Sequence, residues 1–118
     1  MAAPNAMQYG DIYYGDKFES ENRILAARLI KEITTASDLE NRGVLLDTTT
    51  GRNDYRCAST NQLSFYRLDE NINNAPYRLL LEIGDNVISR EILQDPAKQK
   101  IIGQAIKREL VAWLRDIN

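Results

Sequence analysis

Histidine is absent from all 118 residues, and that absence excludes more than any other feature of the composition. Imidazole supplies most acid–base catalysis near neutral pH and most zinc coordination in hydrolases. Any catalytic reading must therefore rest on other groups. Cysteine is nearly absent too: Cys57 stands alone, which excludes an internal disulfide framework and a multi-cysteine metal site within one chain. With no histidine to activate it, Cys57 is expected to be a semi-buried thiol and not a nucleophile. Neither sign of charge dominates, since 15 Lys plus Arg face 17 Asp plus Glu for a net −2. No global basic field exists to hold a phosphate backbone, so nucleic acid is not expected as a partner. Long hydrophobic runs are lacking as well, and Met1 to Gln8 shows no basic start followed by an apolar block. No membrane span and no export signal are expected, which reads as a cytoplasmic chain.

What is present suits one domain over residues 1–118, with 43% hydrophobic and 27% charged residues. Tyr9 to Tyr14 mixes aromatics with Ile12 and runs into the polar Gly15-Asp16-Lys17, the pattern of a strand ending in a turn. From Ser20, a candidate N-cap, Leu25, Leu29 and Ile33 recur every four residues, with Ile24, Ala26 and Ile30 widening the stripe. This predicts an amphipathic helix ending near Thr35 to Ser37. Val44 to Leu46 is a short apolar run, and Asp47 to Ser59 reads as an exposed polar loop.

Leu63, Phe65 and Tyr66 suit a brief strand, and Asp69 to Pro76 an asparagine-rich turn. Leu79-Leu80-Leu81, closing in Glu82-Ile83-Gly84, predicts a buried parallel strand. In the last element, Asp95 can cap, Pro96 fits the first turn, and Ile102, Ile106, Leu110, Trp113, Leu114 and Ile117 are expected on one core-facing stripe. Alternating strands and helices argue for an α/β layer fold. There is no internal repeat, no linker and no glycine-rich phosphate loop.

Taken in order, these segments resemble the C-terminal part of the zinc-dependent N-acetylmuramoyl-L-alanine amidase domain. ENRILAARLIKEITTASDLENRGV (Glu21 to Val44) is similar to the family's helix leading into an Asn-Arg-Gly-Val turn. FYRLDENINNAPYRLLLEIG (Phe65 to Gly84) is similar to its Val-Leu-Arg strand, short turn ending in Pro, and apolar strand closing in Glu-x-Gly. Here Arg67, Pro76, Glu82 and Gly84 hold those places. ILQDPAKQKIIGQAIKRELVAWL (Ile92 to Leu114) resembles the closing Asp-Pro turn and long helix. Gly10 to Tyr14 (GDIYY) resembles, one residue shorter, a Gly-x-x-x-Tyr-Tyr strand, and Asn5-Ala6 the end of a His-x-Asn-Ala motif. IYYGDKF (Ile12 to Phe18) is also similar to the opening of the small cyclin-dependent kinase regulatory subunits, but their His- and Pro-rich phosphate-binding strand has no counterpart here.

The amidase resemblance implies a partial sheet of about four strands, mostly parallel, flanked by helices that include the long C-terminal one. In that family, zinc held by two His and one Glu polarises the amide between a muramic lactyl group and L-alanine, and a further Glu is the general base. Glu82 matches that base, at the carboxyl end of an apolar strand, where α/β sheets present ligands and where a part-desolvated carboxylate suits base chemistry. Arg67 is the candidate substrate-binding residue. Arg67 and Arg78, expected near Glu82, either bind a carboxylate or pair with Asp69 and Glu70 at the surface. Asp85 replaces the family's usual Phe after Glu-x-Gly, and is either a hard-cation ligand with Glu82 or a solvated loop carboxylate. Tyr9, Tyr13 and Tyr14 either stack on sugar rings or half-bury a strand.

Ala3 stands where the His of His-x-Asn-Ala would fall, so the chain reads as a single truncated domain in which the family's zinc site cannot form. Two functions follow from this. One is a piece of a peptidoglycan amidase, inactive alone and complete only if another chain supplies zinc ligands. The other is a non-catalytic binding, structural or assembly module that keeps the fold and self-associates. The expected partners are a peptidoglycan fragment, or a protein covering an exposed sheet edge, with a homo-oligomer as one form of that cover.

Overall fold

The computed structural model describes residues 9–15, 18–49, 55–85, 87 and 89–117. Its elements are β1 (Tyr9–Tyr14), α1 (Glu19–Ala36), β2 (Glu40–Leu46), β3 (Leu79–Ile83), α2 (Arg90–Gln94) and α3 (Pro96–Asp116). Short 3-10 turns lie at Asp47–Thr49 and Tyr66–Leu68. Asn5, Ala6 and Ala3 fall outside the described residues.

The expected α/β layering holds, but the sheet differs from the expectation in strand count and direction. Among the described residues it has three strands in the order β2-β1-β3. β1 runs parallel to β2 and antiparallel to β3. The expected strand around Leu63 to Tyr66 is missing because Leu63 makes only an isolated bridge to Arg56, after which the chain closes into the Tyr66–Leu68 turn. β3 is antiparallel because an apolar run specifies burial and says nothing of direction.

Side chains alternate across the sheet. Ile12 points to one face with Leu79 and Leu81, packing with Leu25, Ala26, Leu29 and Ile30 of α1 and Trp113 of α3. A second cluster joins Ile33, Leu39, Ile92, Ile102 and Ala105, with Leu81 and Ile83 against it. Both long helices therefore cover one face, α1 lying over β1 and β2 and against α3. The other face presents Tyr13, whose register partners are Leu45 on β2 and Leu80 on β3.

The Asn-Arg-Gly-Val segment has a physical role in β2. Between Gly10 and Ile12 of β1 the parallel register advances from Asn41 to Val44, so β2 carries one extra residue there. Gly43 takes φ +91 at this bulge, a conformation that suits glycine. The side chain of Asn41 accepts a 2.8 Å hydrogen bond from the Gly43 backbone N–H.

Helix boundaries follow the sequence more closely than helix faces do. α1 ends at Ala36 as expected, but its N-cap is Phe18 in the left-handed region (φ 58), and Ser20 lies inside the helix. Asp95 caps α3 by accepting from Ala97 N at 2.9 Å, with Pro96 in the first turn. The core-facing stripe of α3 is rotated from the expected one. Ile102, Ala105, Glu109 and Trp113 are buried, while Leu110, Leu114 and Ile117 are exposed. Glu109 can face inward because Arg28 of α1 pairs with it, and the same guanidinium reaches Asp116 at 2.9 Å. Arg28 also lies 5.2 Å from the centroid of the Trp113 ring, so this seam is polar at its rim and aromatic beneath.

Candidate functional site

β3 carries Glu82 near its carboxyl end, exposed to solvent. Leu81 and Ile83 pack toward the helices, so alternation sends Glu82 to the opposite face. Its register partner on β1 is Asp11. The expected part-desolvation of Glu82 is not what the sheet provides, since no helix among the described residues covers that face of β3. Beyond Gly84, Asp85 is half-buried and its carboxylate accepts from Val87 N at 2.7 Å. Loop closure, and not pairing with Glu82, is the role that geometry gives it. Among the described residues no three His, Cys, Asp or Glu side chains converge in a way that could hold a metal ion.

The two arginines do not gather around Glu82. Arg78 lies just before β3, four residues earlier, which is about 13 Å along an extended strand. It is buried: its guanidinium donates to Leu68 O at 2.8 Å and its backbone N–H donates to Asn22 Oδ1 at 2.7 Å. Arg67 is exposed on the turn that Arg78 holds, so it too sits at the end of β3 away from Glu82. Neither arginine has an ion pair to Asp69 or Glu70 among the described residues.

Asp69 is instead buried and organises the loop around it. It accepts from the Tyr55 hydroxyl, from Asn71 N at 2.8 Å, from Asn71 Nδ2 at 2.9 Å and from Ala58 N at 3.4 Å. Burial opposes its ionisation, but these hydrogen bonds, led by Tyr55, outweigh burial and hold the carboxyl below its ordinary value. The same bond from Tyr55 to Asp69, aided by desolvation, pushes the Tyr55 phenol up to about 12.

The loop seats itself on the open face of the sheet, where the Phe65 ring lies 5.1 Å from that of Tyr13. Tyr13 is half-buried and Tyr14 buried, which fits the half-buried-strand reading for these two, while the Tyr9 side chain lies outside what the structure describes. Cys57 is buried beside Ser59 Oγ at 3.1 Å.

The architecture has known counterparts. AmiC2, an N-acetylmuramoyl-L-alanine amidase of Nostoc punctiforme, superposes with a TM-score of 0.65 and 20% identity over 96% of this chain. The CwlD amidase from Clostridioides difficile, solved in complex with the GerS lipoprotein, superposes with a TM-score of 0.67 and 21% identity over 98% of it. The chain shares the amidase fold. It spans about half the length of each of these structures, 53% and 50%. No family model matches the chain, and no curated protein matches it in sequence.

Sharing the amidase fold does not bring the amidase donor set with it. A site of two His and one Glu needs imidazoles that this sequence lacks throughout, and Cys57 is occupied within its own loop. The residues present do not fit a zinc ion of that kind. Two polar residues essential to this architecture gave no functional signal in the sequence. Asn22 reads as one more polar position on an amphipathic helix, and Asp69 as one more acid in an asparagine-rich turn.

Proposed function

We propose that this chain is an N-acetylmuramoyl-L-alanine amidase-like domain that keeps the fold and acts as a non-catalytic binding or assembly module in the cell envelope. The observation that carries this reading is the mismatch at the site. Glu82 stands exposed at the carboxyl end of β3, the base position implied by the sequence resemblance, while no cluster of metal-ligating side chains accompanies it among the described residues. A lone solvated carboxylate cannot activate water against an amide unaided.

A protein partner is part of this proposal, supported by CwlD having been solved with the GerS lipoprotein. No helix among the described residues is long and apolar enough to cross a membrane. The competing reading is an amidase completed by ligands from another chain, with Glu82 as base and Arg67 holding an acidic group of the peptide. Its support is that the open face of the sheet leaves Glu82 accessible.

Metal content and muramoyl-peptide release from purified peptidoglycan, with added zinc, separate the two in wild type and Glu82→Gln. The module predicts neither bound zinc nor release from either protein. Stoichiometric zinc with release that vanishes in the variant would overturn it.

A further inference from the structure

We draw no further inference here: the strongest candidate, the exposed apolar flank that Leu110, Leu114 and Ile117 form at the C-terminal end of the chain, carries nothing because nothing in the structure shows what covers it.

Discussion

Asn22 holds Arg78 in place: its Oδ1 accepts the Arg78 backbone N–H at 2.7 Å while its Nδ2 donates to Pro76 O at 2.8 Å and to Phe18 O at 3.1 Å. One wholly buried amide thus fastens the first turn of α1 to the segment that feeds β3. Removing it takes this partner from the buried Arg78 N–H and from Pro76 O, while Phe18 O keeps the Asn22 backbone N–H at 3.0 Å. Asn22→Ala is expected to cost roughly 2–3 kcal/mol, read as a lower midpoint in urea unfolding. A loss below 0.5 kcal/mol, by rough mutational norms, would mean that water replaces the amide.

The Tyr55–Asp69 pair ties stability to pH at both ends. Asp69 has a lowered pKa in the folded chain, so its contribution is present above the ordinary carboxylate value and is lost as pH falls through the folded value. Tyr55 has a raised pKa, so its contribution is full below its ordinary value of 10.0 and is lost as pH rises toward about 12. Tyr55→Phe should therefore move the onset of acid unfolding to higher pH and remove this alkaline loss. Thermal melts from pH 3 to 11 measure both shifts; coincident acid limbs would show that the hydroxyl does not stabilise the carboxylate.

Asp95 satisfies an N–H at the start of α3 that has no partner within the helix. Asp95→Ala is expected to destabilise the chain by about 1 kcal/mol, while Asp95→Ser retains most of the stability. Equal melts for the two variants would show that Pro96 alone sets this boundary.

Glu82 is exposed, so Glu82→Gln should leave global stability within about 0.5 kcal/mol. Differential scanning calorimetry checks this, and the result makes the peptidoglycan assay interpretable, since lost activity could not then be ascribed to unfolding.

Legibility in the sequence follows what each signal physically encodes. Asp95-Pro96 is a local stereochemical instruction, and α3 begins there. The apolar run Leu79-Leu80-Leu81 encodes burial, so β3 was readable as a strand while its antiparallel direction was not. The buried face of α3 is not legible from hydrophobicity alone, because Arg28 draws Glu109 inward and leaves Leu110 and Leu114 outside. Phe18 as the cap and Asp69 as a buried hub depend on partners distant in the chain. For the candidate site, the strand position of Glu82 was legible, but the separation of Arg67 and Arg78 from it was not, because that depends on how the loop before β3 doubles back.

Trp113 gives the molecule an optical handle. It is the sole tryptophan, set at the α1–α3 seam under Arg28 and edge-on to Tyr77 at 5.7 Å. Its emission reports on the packing of α3 against α1 and the sheet, and Tyr77 is close enough to pass excitation to it. Peeling α3 from α1 would redden the emission and weaken that transfer. A single fluorescence trace can therefore follow the docking of α3 without an added label.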